Sequence, residues 1–371
     1  MPSEPPRVLI AGGGTGGHII PALAIADELK AHCGAEILFV GTARGLESRL
    51  VPQAGYRLEL IRVGQLNRVS LATRLRTVAD LPMGLLRCLR LLKDFRPDVV
   101  IGVGGYASGP MMGAAILLRV PALAFEPNAV PGMANRLVGH WVNAAAVNFE
   151  PAARYFRGAQ VTGIPVRAEF FSLTARPAGA APHLLVFGGS QGARILNTTM
   201  PKIAAELLAA VPGLTILHQS GARHAQATKA AYQSSGARED GWQVEAFLDD
   251  MPRRFEAADL VLARSGASTV AELAAAGKPA VLIPFPQAAD DHQRRNAEVM
   301  AQAGAARMLI EADLTSDQLE QTLEQLLVHP EELAEMADRA RSLAHPDAAE
   351  QIARIAAALR KPGRQAASPR K

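Results

Sequence analysis

The chain has 371 residues, which sets an expectation of about two domains. Hydrophobic residues make up 49% and charged residues 20%, enough for a packed core, and this excludes disorder as the main state. A net charge of +4 and 5% aromatic residues give no ground for a nucleic-acid partner, and two cysteines, Cys33 and Cys88, exclude a disulfide framework and fit a reducing compartment.

The N-terminal MPSEPPRVLIAGGG puts acid and proline where a signal peptide needs a basic region and an apolar stretch, so no leader is expected. Residues 8–11 read as a buried strand, then a glycine loop, then a helix from Pro21 onward. Residues 36–40 form the next strand. Residues 99–118 carry no charge and are long enough to span a bilayer. Gly102, Gly104, Gly105, Gly109, Pro110 and Gly113 break that run into a strand, a loop and a helix. HLLVFGGSQGARILN from His183 and LVLARSGASTVAELAAA from Leu260 repeat the same design. Strands alternating with helices predict parallel sheets covered on both faces, with ligands bound at the carboxyl ends of strands. The fold class is therefore α/β, with two facing doubly wound domains. Their boundary falls at Gly163-Ile164-Pro165-Val166-Arg167. An alanine-rich helix covers residues 348–359, and the tail from Lys361 reads as disordered and basic.

A glycine loop before a helix lets backbone N–H groups approach an anion, and the helix dipole adds positive potential. Gly12, Gly14 and Gly17 satisfy G-x-G-x-x-G, but the strand at 36–40 ends in Gly-Thr-Ala-Arg with no acid for a ribose diol. That disfavours NAD and leaves NADP, with Arg44 on the 2′-phosphate, as an alternative. Four such loops favour phosphate or diphosphate ligands. His18 closes the first loop and is a candidate general base. Ser268 opens a helix, and Glu272 lies one turn on, placed for a ribose diol. The polar run Phe285-Pro-Gln-Ala-Ala-Asp-Asp-His-Gln-Arg-Arg-Asn296 follows a strand read at 280–284 and suits sugar hydroxyls. No D-x-D is present, so no metal is expected.

GGGTGGHIIPALA, GVGGYASGP, GGSQGARILN, RSGASTVAEL and PFPQAADDHQRRNA, in this order and spacing, resemble the MurG family of bacterial N-acetylglucosaminyltransferases, over nearly the whole chain. The resemblance implies two facing Rossmann-like domains, the GT-B architecture, with a C-terminal helix returning to the first domain. It implies an acceptor and membrane-facing domain at 1–163 plus 346–361, a UDP-GlcNAc-binding domain at 164–345, and a disordered tail at 362–371. The implied reaction moves GlcNAc from UDP-GlcNAc to the C4 hydroxyl of MurNAc in lipid I, with inversion and without metal or other cofactor, giving lipid II for peptidoglycan synthesis.

The resemblance also carries residue roles. Donor contacts fall on Thr15, Gly16, Gly17, Asn128, Arg167, Ser190, Leu248, Ala267, Ser268, Thr269, Val270, Ala271, Glu272 and Gln293. The acceptor diphosphate falls to Gly13, Gly14, Gly104, Gly105, Tyr106 and Ser108. His18 is the candidate base, with Glu126 or His292 as alternatives, or no single base. Phe125, Pro127 and Ile164 depart from the family's His, Gln and Asn, which puts acceptor-side hydrogen bonds there in question.

Residues 44–96 hold eleven bases (Arg44, Arg49, Arg57, Arg62, Arg68, Arg74, Arg76, Arg87, Arg90, Lys93, Arg96) and four acids, a local surplus of seven positive charges. Leu71, Leu75, Leu81, Met83, Leu85, Leu86, Leu89 and Leu92 lie among them, the pattern of a protein that meets anionic headgroups. The expected location is the cytoplasmic face of the bacterial inner membrane, with lipid I and other cell-wall and division proteins as partners. Other readings are a UDP-GlcNAc 2-epimerase or another GT-B transferase, a nucleotide-sugar-binding module, and an NADP oxidoreductase.

Overall fold

A computed structural model describes residues 5–43, 45–63, 71–174, 176–177 and 179–360, and the side chains within these except 71–81. Arg44, Arg68, the tail from residue 361, and the side chains of Leu71, Arg74, Leu75, Arg76 and Leu81 lie outside that description. The chain forms two compact units, one running to Pro165 and joined by the segment from Asp347, the other Val166–Pro346.

The first unit runs β1 (Arg7–Ala11), α1 (Gly16–Cys33), β2 (Glu36–Gly41), α2 (Glu47–Gln53), β3 (Arg57–Leu60), α3 (Leu71–Phe95), β4 (Val99–Gly102), α4 (Ser108–Leu117), β5 (Ala122–Glu126), α5 (Met133–Val138), β6 (Ala144–Val147), α6 (Glu150–Ala153) and β7 (Ala159–Val161). The second runs β8 (His183–Phe187), α7 (Arg194–Ala210), β9 (Thr215–Gln219), α8 (Ala225–Gln233), β10 (Trp242–Glu245), α9 (Met251–Ala257), β11 (Leu260–Ala263), α10 (Ala267–Ala276), β12 (Ala280–Leu282), α11 (His292–Gln302), β13 (Ala306–Met308), α12 (Ser316–Val328) and α13 (Pro330–Arg341). A last helix, α14 (Ala348–Ala358), packs on α1 and reaches β4 and β6 of the first unit.

Every strand pair is parallel. The order is β3-β2-β1-β4-β5-β6-β7 in one sheet and β10-β9-β8-β11-β12-β13 in the other. Central strands such as VVIG and LVLA are buried throughout, because helices cover both faces and every side chain needs an apolar residue. The topology reverses between β1 and β4, and again between β8 and β11. Those four strands are the ones that precede the four glycine loops. The loops therefore lie in two pairs, each at the switch point where an open parallel sheet leaves a crevice.

Two boundaries differ from the sequence reading. α1 begins at Gly16, not Pro21, because a proline one turn in removes a single backbone hydrogen bond and leaves the first turn intact. β12 ends at Leu282, since Pro284 has no N–H to continue the ladder.

Candidate active site

In the first unit the loops after β1 and β4 are built against each other. Gly12, Gly13 and Gly14 have φ of 153°, 139° and 96°, and Gly104 and Gly105 have 89° and 81°, values that only glycine adopts without strain. A Cβ on Gly12 would collide with the Gly104 carbonyl, and one on Gly105 with the Gly13 carbonyl. The Gly13 amide donates to the Gly104 carbonyl at 3.3 Å.

Glu47, at the start of α2, supports this loop from behind. It is 1% exposed. Its Oε2 accepts the Gly14 amide at 2.7 Å, and its Oε1 accepts the Thr42 amide and hydroxyl at 2.9 Å each. Gly13 and Gly14 thus spend their N–H groups inside the protein. Their N–H groups shape the loop. The amides of Thr15, Gly16 and Gly17, at the open end of α1, have no hydrogen-bond partner among the described residues.

His18 stands in that first turn. Its Nδ1 is 3.2 Å from Thr15 Oγ1. Its ring faces the other loop closely enough that a Cβ on Gly104 would lie 3.0 Å from Nε2. Tyr106 is 46% exposed beside it in sequence. Ser108 is fully buried, with Oγ turned against Gly102 and without a hydrogen-bond partner among the described residues.

Glu126 is 2% exposed at the end of β5. Its carboxylate accepts from the Asn128 amide (3.0 Å) and side chain (3.1 Å), the Gly132 amide (3.2 Å) and Asn135 Nδ2 (2.9 Å). Burial pushes its pKa up against these hydrogen bonds. It organises this loop and holds Asn128. Phe125 and Ile164 are core residues, 0% and 3% exposed, so their apolar character suits where they sit. The Pro127 carbonyl accepts from Asn148 Nδ2 at 3.1 Å.

In the second unit the loop after β8 is tied by neutral groups. A Cβ on Gly192 would collide with the Ser220 carbonyl, and one on Gly221 with the Gln191 carbonyl. Asn197 donates to the Ser220 carbonyl at 2.9 Å, and its Oδ1 is 3.1 Å from His218 Nε2. His218 Nδ1 is 3.1 Å from the Tyr232 hydroxyl. Burial pushes the His218 pKa down to about 3, so the ring is neutral. Gln219 Nε2 donates to the Gly189 carbonyl at 3.0 Å. Ser190 is exposed at the tip of this loop.

The loop after β11 opens α10. The first amides of that helix, at Ala267, Ser268 and Thr269, lie before its first internal bond, Val270 to Gly266 at 3.0 Å. Ser268 Oγ is buried and, like Ser108 Oγ, has no hydrogen-bond partner among the described residues. Glu272, half-buried one turn on, has its pKa pushed up to about 7 by burial, against a lowering by the nearby Arg167 guanidinium. Arg167 is exposed and lies over the Phe170 ring at 5.2 Å. The Arg264 guanidinium bonds the Ile283 and Pro284 carbonyls at 3.0 Å each, fixing the turn after β12. Ser265 Oγ donates to the Gln293 carbonyl at 2.8 Å, and Gln293 Oε1 accepts from the Phe285 amide at 3.0 Å. Leu248 is 4% exposed.

Sequence reasoning missed Glu47, Asn135, Asn197, His218 and Tyr232 as supports. Glu47 had one local signal, a carboxylate five residues after a strand that ends in Gly-Thr. The others act across sequence gaps that no local pattern reveals.

Two α/β units with paired loops at their switch points form a two-domain class of α/β protein that holds ligands at the carboxyl ends of its strands. Residues 8–147 match the glycosyltransferase family 28 N-terminal domain, and residues 183–352 match its C-terminal domain. A protein of Anaeromyxobacter sp. (strain Fw109-5), named UDP-N-acetylglucosamine–N-acetylmuramyl-(pentapeptide) pyrophosphoryl-undecaprenol N-acetylglucosamine transferase, is 44% identical over 358 residues, 95% of this chain and 93% of its own. A protein of the same name from Solibacter usitatus (strain Ellin6076) is 42% identical and covers 98% of each chain. The crystal structure of Acinetobacter baumannii MurG superposes with a TM-score of 0.82 at 31% identity, covering 95% of this chain and 100% of that one. The chain belongs to this family, the MurG glycosyltransferases.

Proposed function

We propose that the protein transfers GlcNAc from UDP-GlcNAc to the C4 hydroxyl of MurNAc in lipid I, inverting the anomeric carbon to give the β1→4 link of lipid II. The observation that carries this reading is the 44% identity across 95% of the chain, which takes in both units. The first unit takes the lipid-linked acceptor and the second takes UDP-GlcNAc.

The C4 oxygen attacks the anomeric carbon on the face opposite UDP. The new C–O bond forms as the bond to the UDP oxygen breaks, and UDP leaves with the electron pair. The hydroxyl proton goes to His18 Nε2. Thr15 Oγ1 accepts from Nδ1–H and so holds the tautomer with its lone pair on Nε2. The resemblance gives Thr15, Gly16 and Gly17 to the donor; we assign their amides instead to the acceptor diphosphate, because they stand open at the positive end of α1 in the unit that takes the acceptor. The amides and Ser268 hydroxyl at the start of α10, with Ser190 and Arg167, neutralise the departing UDP without a metal. Glu272 binds the ribose diol. Gln293, fixed by the Phe285 amide, meets the sugar hydroxyls.

Among the described residues no helix is long and apolar enough to cross a membrane. The acceptor's lipid is reached from a surface on α3, α4 and α5, which pack side by side. Met83, Leu86, Leu117 and Leu137 on these helices are exposed by 69%, 48%, 66% and 63%, and Trp141, three residues past α5, by 67%. Exposed Arg87 and Arg90 lie on the same α3, suited to anionic headgroups. On this reading the protein is peripheral to the cytoplasmic face of the inner membrane.

The test is radiolabelled UDP-GlcNAc with a short-chain lipid I analogue, with and without EDTA. The expected result is a β-linked disaccharide product formed equally in both arms. Absence of transfer overturns the reaction, and loss of product in EDTA overturns its metal independence.

A further inference from the structure

We infer that Glu47 is a positioning residue for the acceptor half of this reaction: its carboxylate fixes the turn of the first glycine loop so that the Thr15–Gly17 amides and the His18 ring are presented together. The inference rests on reading the first unit as the acceptor unit.

A carboxylate 1% exposed has lost most of its hydration, a penalty of several kcal/mol that only charge-assisted bonds offset. No ion pair to Glu47 occurs among the described residues. Its compensation is three donors, the Gly14 amide, the Thr42 amide and the Thr42 hydroxyl. Two of them lie on different strand–helix connections, after β1 and after β2. The carboxylate therefore clips one loop to the other.

The space it occupies has been cleared for it. A Cβ on Gly13, Gly41 or Gly45 would in each case collide with the Glu47 side chain. Three glycines around one side chain mean that the loop closes onto the carboxylate at van der Waals contact. With the Gly14 N–H turned inward, the Gly13 carbonyl packs on Gly105 and the chain enters α1 at Thr15. The direction of the next three amides, and of His18 one residue later, follows from that peptide.

Glu47→Gln keeps the size of the side chain. Its Oε1 can still serve the Thr42 pair, but its Nε2 then confronts the Gly14 N–H, donor against donor. Loss of one charge-assisted bond corresponds to about 10- to 100-fold. Three quantities are measured on the full chain: hydrogen exchange by mass spectrometry, steady-state constants with UDP-GlcNAc and a short-chain lipid I analogue, and UDP affinity by calorimetry. The expected result is faster exchange confined to residues 12–17, an acceptor KM raised about 10- to 100-fold, and UDP affinity within about twofold of wild type.

Gly45→Ala supplies a second variant that keeps the charge. Its Cβ displaces the carboxylate from Gly14, and the same pattern is expected at smaller size. Unchanged exchange at 12–17 in both variants overturns the inference, as does an acceptor KM that does not move. Exchange that rises equally across the chain also overturns it, because Glu47 is then only a core residue. Failure of the wild-type protein to transfer GlcNAc overturns the proposed reaction instead, while the exchange measurement still judges the clip.

Discussion

The glycine loop after β1 is held from behind by a carboxylate, Glu47; the loop after β8 is held by a neutral chain, Asn197–His218–Tyr232. Both supports are buried and both hold glycines that admit no Cβ. They differ in the field they impose. A carboxylate behind a loop opposes an anion in front of it, which leaves the α1 terminus to do the binding. On the proposed reaction, the acceptor's diphosphate gains no charge as the bond forms, so a modest positive field suffices in the first unit. The departing UDP does gain charge. In the second unit the loop support is neutral, and the Arg167 guanidinium lies close enough to Glu272 to lower its pKa against burial. On the proposed reaction this support places no negative charge behind the loop that faces the departing UDP.

The sharpest way to break this division of labour is His18→Ala. On the proposed reaction the base belongs to the first unit and donor affinity to the second, so the variant is expected to lose about 10²- to 10⁴-fold in kcat with UDP affinity unchanged. Steady-state kinetics beside UDP calorimetry decide it. An unchanged kcat removes His18 from the role, and a matching loss of UDP affinity ends the separation between units.

The neutral support makes the next prediction. His218 sits near 3 when folded and near 6.5 when unfolded, so between those values the unfolded chain binds more protons. Its contribution to stability is present above about pH 6.5 and is lost as pH falls toward 3, at up to about 1.4 kcal/mol per pH unit. His218→Gln retains a donor and an acceptor but does not titrate. Urea unfolding of both proteins at pH 7 and pH 5 is expected to show a smaller acid loss in the variant. Equal losses mean that the ring is not held neutral.

Glu272 gives a smaller effect of opposite sign. Its folded pKa lies above its unfolded value, so its stabilising contribution is full below about 4.5 and falls as pH rises toward 7. A ribose diol donates hydrogen bonds and favours the ionised form. UDP affinity is therefore expected to rise by up to about tenfold as pH rises from 6 to 8, and Glu272→Gln to flatten that rise. Calorimetry across the range reads it directly; an equal slope in the variant removes Glu272 from the ribose.

The fold was legible because a strand covered on both faces must be apolar throughout, and runs such as VLIA, VVIG, LLVF and LVLA have few other uses. The glycine loops after them fall at the two switch points of the sheets. What the sequence could not display is which way a peptide faces. Gly13 and Gly14 look like anion donors until their N–H groups are found turned toward Gly104 and Glu47. Ser108 looks available in GVGGYASGP until α4 buries it. Glu47 counted only as one acid in a basic stretch, since its partners come from two separate loops. The His218 network joins residues 21 and 14 positions apart, beyond any local periodicity.

The last contrast concerns surfaces. The local surplus of positive charge lies in the first unit, where α3 carries exposed Arg87 and Arg90. Arg87 is engaged with Glu59 at 3.1 Å, so Arg90 is the better probe of a purely electrostatic contribution. A single arginine near an anionic surface is worth about 1 kcal/mol, or roughly fivefold in binding. Arg90→Ala is therefore expected to weaken cosedimentation with phosphatidylglycerol vesicles about fivefold at low salt and to have little effect at high salt. Trp141, 67% exposed, should contribute by insertion, so Trp141→Ala is expected to weaken binding by a similar factor at both salt levels. The two variants separate charge from apolar contact on one surface. Equal binding of the wild-type protein to neutral and anionic vesicles at all salt levels would remove the electrostatic component, leaving the apolar faces of α3, α4 and α5 to carry the interaction alone.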